Sequence, residues 1–156
     1  FLASVGELEP EEKSWLGTPT EEFLIEIEQT RLTKAYKIPT IGAFLREGNI
    51  VSRVKLDEIA QEMMNFYRNH PLHQKDLGDR SHRNWETWGS KQFGNLAKKN
   101  PVKYLSNGNF FHFDEINQIM YLDREVETFL SPLLASHVRD ILEFRRIDYF
   151  RRRFKD

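Results

Sequence analysis

The chain has 156 residues, ordinary apolar content and a formal net charge of −1, which fit a single soluble globular domain. It contains no cysteine, so disulfides, thiolate metal sites and a cysteine nucleophile are excluded. The absence of cysteine also fits a reducing cytoplasm, where we expect the protein. No apolar run approaches the roughly 20 residues of a membrane-spanning helix, so we expect no membrane partner. The start lacks a signal peptide's basic and apolar regions and an initiator Met, so we expect a piece cut from a longer protein.

Acidic residues dominate the beginning of the chain. Residues 1–28 contain eight glutamates and one lysine, and residues 1–17 are predicted to form an acidic tail or linker. A single domain is expected over residues 18–156. It begins with a helix capped by Thr18, with proline at the first helical position, and this helix is predicted to end near Tyr36.

Three short elements are predicted after the first helix. Residues 39–47 fit a short helix that ends at Gly48. Weak alternation over residues 50–55 predicts a strand. Apolar residues that recur every three or four positions over residues 56–67 predict an amphipathic helix, and a polar loop is expected over residues 70–83.

The second half of the chain is predicted to contain a helix, a β-hairpin and a long final helix. The first of these is opened by Ser81 or Asn84 and runs toward Pro101. Two short β-rich segments, residues 110–113 and 118–122, flank a turn and predict the hairpin. The final helix begins at Ser131-Pro132, and its outer face is predicted to be basic.

From residue 39 to residue 122 the predicted order is helix, strand, helix, helix, hairpin. The expected fold class is therefore mainly α with a small β-hairpin (α+β): a winged-helix-like helix-turn-helix plus flanking N- and C-terminal helices. In that arrangement the second helix of the pair enters the major groove of DNA, and the hairpin contacts the backbone.

Positive charge is concentrated where this second helix is predicted. Residues 80–103 contain six basic residues and one acidic residue, a local field that attracts polyanions. Trp85, Trp88 and Phe93 are predicted to face the core, while cations contact phosphates and amides reach base edges. The candidate nucleic-acid-binding residues are Arg80, His82, Arg83, Asn84, Lys91, Gln92, Asn95, Lys98, Lys99 and Lys103.

The final helix offers a second candidate surface. Its arginines favour DNA binding and protein docking about equally, and they are Arg145, Arg146, Arg151, Arg152 and Arg153. The histidines His70, His73 and His82 are expected to lie on a surface loop, because no cysteine or well-spaced carboxylate completes a metal site. We expect no catalytic residue, no metal and no cofactor.

Four segments resemble a known family: TKAYKIPTIGAF (residues 33–44), NWETWG (84–89), LAKKNPVKYL (96–105) and FRRIDYFRRRF (144–154). They are similar to the C-terminal region of bacterial DEAD/DEAH-box helicases of the restriction and defence type, which often carry a phospholipase-D-like nuclease domain. The resemblance implies an accessory region. The family's ATPase motifs and nuclease motifs are absent from this chain, so neither activity transfers to it.

The sequence therefore predicts a DNA-binding or DNA-positioning C-terminal module of an ATP-dependent helicase or restriction-type enzyme. Such a module is not catalytic by itself, and its partners are DNA and the helicase motor and nuclease domains of the parent chain. The alternative is a protein-interaction module that docks onto a motor or nuclease subunit through the acidic N-terminal helix or the Arg-rich last helix.

Overall fold

The computed structural model describes residues 7–77 and 84–154. The described chain is mostly helical and has one two-stranded and one three-stranded antiparallel sheet, which confirms the α+β class. Arg80, His82 and Arg83, predicted to bind nucleic acid, lie outside the described residues.

Helix α1 (Pro10–Trp15) replaces part of the predicted acidic tail. Trp15 is 1% exposed, and the Glu12 carboxylate lies 2.6 Å from His137 Nε2 on the last helix. The tail prediction was wrong at residues 10–15 because one buried aromatic and one long-range polar contact hold this acidic segment on the domain.

Helix α2 (Pro19–Gln29) begins where the sequence indicated, since the Thr18 hydroxyl accepts a hydrogen bond of 3.2 Å from the Thr20 amide. It ends earlier than the expected limit near Tyr36. The backbone turns extended at Thr30, and side chains from elsewhere bind the carbonyl groups at this end of the helix.

Helix α3 (Lys37–Gly42) is followed by a tight hairpin of strands β1 (Leu45–Arg46) and β2 (Asn49–Ile50). The predicted helix over residues 39–47 was therefore wrong beyond the α3 end. Glu47 and Gly48 have φ angles of 51° and 78°, and positive φ at both central residues is typical of a two-residue hairpin turn.

The three-stranded sheet contains β3 (Arg53–Lys55), β4 (Phe111–Asp114) and β5 (Ile119–Leu122) in the order β3–β5–β4. The hairpin of β4 and β5 confirms the sequence prediction. Val54 of β3 pairs with Met120 of β5, and both side chains are buried. The central strand thus joins the hairpin to a segment far earlier in the chain.

Helix α4 (Leu56–Arg68) confirms the amphipathic helix. The segment after it was expected to be a polar surface loop, but His73–Leu77 forms a 3₁₀ turn in which His73, Asp76 and Leu77 are buried. His73 is 1% exposed and stacks between the rings of Phe66 and Phe150, with centroid distances of 4.1 and 4.3 Å. The surface prediction was therefore wrong for His73.

The helix predicted to open at Ser81 or Asn84 begins later. Trp85–Thr87 forms a 3₁₀ turn, and α5 (Ser90–Ala97) follows. Its axis continues through a π-helical turn at Lys98–Val102 into α6 (Lys103–Ser106). The π turn contains Pro101, which has no N–H to donate to a regular helix.

Two more helices complete the domain, α7 (Arg124–Glu127) and α8 (Pro132–Arg153). The Ser131 hydroxyl accepts a hydrogen bond of 3.1 Å from the Leu134 amide, so α8 starts as predicted. One core joins all the elements, and its largest fully buried aromatic side chains are Trp15, Phe23, Phe44, Tyr67, Phe93 and Phe111.

Candidate nucleic-acid interface

Helix α5 is held in place by close packing on α4. Phe93, Gly94 and Ala97 are buried on the side of α5 that faces the core. A Cβ atom placed on Gly94 would lie 3.7 Å from the Ala60 Cβ of α4, so the two helices contact each other at small residues. This packing orients the opposite side of α5 toward solvent.

That opposite side, continued by the π-helical turn that follows α5, carries four of the predicted residues, and we call this surface the α5 basic face: Lys91, Gln92, Asn95 and Lys99. All four are exposed, as the helical advance of about 100° per residue from the buried positions requires. The chain has no Asp or Glu from Thr87 to Phe113. Among the described residues no carboxylate forms an ion pair with either lysine of this face.

The positive surface extends past the π turn. Lys103 and Tyr104 of α6 are exposed, and the Lys103 ammonium lies 5.8 Å from the centroid of the Tyr104 ring. Tyr104 is 53% exposed, yet it was not among the predicted binding residues. The signal in the sequence was its position, because Tyr104 directly follows Lys103 at the end of the basic segment.

Two of the predicted amides have local structural roles. The Gly89 amide donates to Gln92 Oε1 at 2.9 Å, so this side chain caps the first turn of α5. Asn84 is exposed with a φ of 66°, and its carbonyl accepts a hydrogen bond of 2.8 Å from the Thr87 hydroxyl. Asn84 therefore starts the 3₁₀ turn and lies outside the α5 basic face.

Lys98 is neutralised by the β4–β5 turn. Its ammonium lies 2.5 Å from the Glu115 carboxylate, and this contact is the main cause that holds the pKa of Glu115 below its ordinary value. Asp114 accepts from the Ile116 and Asn117 amides at 3.0 and 3.1 Å. The hairpin tip exposes Glu115 and Ile116, and neither side chain suits the phosphate contact predicted for this hairpin.

The predicted basic outer face of α8 is divided by the structure. The Arg145 guanidinium donates to the carbonyls of Ile27 and Thr30 at 3.0 and 2.5 Å, where it caps the C-terminus of α2. Burial lowers the pKa of Arg145. Arg146 binds Glu143 of the same helix. Both arginine side chains are half-buried, and their guanidinium groups are bound within the domain.

The last turn of α8 remains basic and exposed. Arg152 and Arg151 contact Asp148 at 3.0 and 3.5 Å, and the Arg153 guanidinium lies 5.8 Å from the Tyr149 ring centroid. Of the five predicted α8 arginines, only these last-turn residues are exposed.

Within residues 7–77 and 84–154, no three His, Asp or Glu side chains come together in a way that fits a metal ion. His73 is enclosed by aromatic rings. Burial lowers its pKa to about 4. None of the helices in this part of the chain is long and apolar enough to cross a membrane.

Comparisons of this chain with known protein families, curated proteins and solved structures find no match.

Proposed function

We propose that this chain is a winged-helix module that binds DNA through the α5 basic face. The observation that carries the proposal is an exposed helical face with two lysines and two amides. No acidic residue occurs from Thr87 to Phe113. A surface of this composition attracts the phosphate backbone and can also read bases.

The arrangement of elements supports the proposal. Helices α4 and α5 pack as a pair, α5 is the second of the two, and the β4–β5 hairpin follows. The sheet order β3–β5–β4 ties that hairpin to the strand before the pair. A helix-turn-helix inserts its second helix into the major groove, which admits an α-helix.

Three residues of the α5 basic face then have separate tasks. Lys91 and Lys99 lie about 12 Å apart along the helix axis and contact phosphates. Asn95 lies between them and reaches a base edge, where Asn pairs well with adenine. Lys103 adds a phosphate contact further along.

The context of this activity is the C-terminal region of an ATP-dependent helicase or restriction-type enzyme. The family resemblance supports this context, with the motor and nuclease domains of the parent chain as partners. The chain itself positions DNA and does no chemistry. The alternative of docking through the Arg-rich last helix loses support at Arg145 and Arg146, because both are bound within the domain.

The test is fluorescence anisotropy with labelled duplex DNA over a series of salt concentrations. We expect the double variant Lys91→Glu, Lys99→Glu to lose roughly 10- to 100-fold in affinity at low salt, and the slope of log K against log salt to fall by about 2. The matched control reverses two exposed lysines elsewhere, Lys13→Glu with Lys55→Glu, and should change the affinity little.

Two results would overturn the proposal. One is a wild-type chain that does not bind duplex DNA at low salt. The other is equal loss of affinity in the α5 variant and in the control, because general charge would then explain the binding. A loss confined to variants of Arg151 and Arg152 would move the interface to α8.

A further inference from the structure

The outer face of α8 carries large apolar side chains that nothing in the described domain covers. Phe144 is 69% exposed and Ile147 is 51% exposed. Asp140 precedes Phe144 by four positions and Arg151 follows Ile147 by four. This 4-3-4 spacing keeps the four side chains on one helical face, and we call them the α8 stripe.

The α8 stripe points directly away from the domain. The opposite side of the helix is buried in the core through Val138, Ile141 and Phe150. Contiguous exposed apolar residues are typical of protein interaction sites. Since the stripe is straight and lies on a regular helix, its natural partner is another helix.

The charges on and beside the α8 stripe indicate which helix. The flanking acids Glu143 and Asp148 are paired within α8, with Arg146 and Arg152. Among the described residues, the Asp140 carboxylate makes no ion pair or hydrogen bond. Within the described residues, one end of the stripe is therefore the unpaired Asp140 carboxylate. The other end is Arg151, which contacts Asp148 only at 3.5 Å.

This pattern is self-complementary. The four residues are symmetric about the midpoint between Phe144 and Ile147, with opposite charges at equal separations. If a second α8 lies antiparallel across a two-fold axis, Phe144 meets Ile147 of the second copy, and Asp140 meets Arg151. A two-fold interface requires this reciprocity, because the same patch serves both subunits.

We propose that a second copy of this chain docks on the α8 stripe to form an antiparallel dimer. The stripe extends about 17 Å along the helix, so the interface is smaller than the about 1,200 Å² of standard complexes and the dimer is weak. The contact does not involve α5 and does not depend on DNA binding.

The test is sedimentation velocity of the whole chain over about 10 µM to about 1 mM, the range for a small interface. The wild-type chain should shift toward dimer with concentration. Asp140→Arg alone and Arg151→Asp alone should each weaken association about tenfold or more, because like charges then meet. An equimolar mixture of the two variants should restore dimers, since both charge pairs re-form across the heterodimer.

Further variants distinguish dimerisation through the α8 stripe from non-specific hydrophobic association. Phe144→Ser should abolish dimerisation. Ile116→Ser removes an apolar residue that is 93% exposed on the hairpin, and it should leave dimerisation unchanged. Circular dichroism confirms that each chain is folded, and the same-chain double swap, Asp140→Arg with Arg151→Asp, should dimerise like wild type.

The proposal is overturned if the wild-type chain remains monomeric throughout the range. It is also overturned if Asp140→Arg associates as tightly as wild type, or if the mixture associates no better than either variant alone. Loss of DNA binding in the α5 variant would leave these results unaffected.

Discussion

Replacing Asp76 with alanine removes the acceptor that joins three separate parts of the domain. Its fully buried carboxylate accepts hydrogen bonds from the Ala35 amide at 2.8 Å, the Tyr67 hydroxyl at 3.1 Å and the Tyr149 hydroxyl at 2.5 Å. These donors belong to the segment before α3, to α4 and to α8. Burial, reinforced by the nearby Asp76 charge, raises the pKa of both tyrosines, so their hydroxyls stay protonated as donors.

The size of the effect follows from these three contacts. A buried donor left without its acceptor costs about 1–3 kcal/mol. The alanine variant also avoids the desolvation of a buried charge, which offsets part of the sum. We therefore expect Asp76→Ala to lower the free energy of unfolding by about 3–5 kcal/mol, the lower part of the range for three buried donors that lose their acceptor.

Urea denaturation monitored by circular dichroism measures this change. Tyr149→Phe should cost less, about 1–2 kcal/mol, because one contact is lost. Glu86→Ala, which removes an exposed carboxylate, serves as the control and should stay within about 0.5 kcal/mol of wild type. A loss below about 1 kcal/mol for Asp76→Ala, or full additivity with Tyr149→Phe, would refute the idea that this carboxylate joins the elements as one unit.

Two further predictions follow from single contacts. Glu115→Gln should release Lys98 and raise duplex affinity about two- to tenfold in the anisotropy assay, while stability changes by less than about 1 kcal/mol; an unchanged or weaker affinity would contradict this. The lowered pKa of His73, about 4, means that the unfolded chain takes up a proton first as pH falls. Stability should therefore be complete above about pH 6.5 and decline toward pH 4, by at most about 1.4 kcal/mol per pH unit. Urea titrations should show a shallower decline for His73→Gln, and identical slopes for both chains would argue against a buried neutral ring.

Elements with strong local signals were predictable. The apolar period of α4, the turn between β4 and β5, and the Ser131-Pro132 start of α8 each depend on residues a few positions apart. The exposed positions of the α5 basic face were predictable in the same way, because they follow from the buried Phe93 and Ala97.

Contacts between distant segments were not predictable. The β3–β5 pairing joins residues more than sixty positions apart, and the sequence of neither strand indicates which strand it pairs with. Glu12 and His137, a similar long-range pair, explain why an acidic segment became a packed helix. Arg145 was predicted to lie on an outer face. Its partners are backbone carbonyls, and a sequence pattern of side chains gives no information about them.

The most direct test of the account is an NMR titration of the isotope-labelled chain with duplex DNA, followed by side-chain and backbone amide shifts. We expect the largest changes at Lys91, Asn95 and Lys99, with smaller ones at Lys103, and we expect all of them to disappear at high salt. Changes centred on the last turn of α8, or no change at low salt, would contradict it.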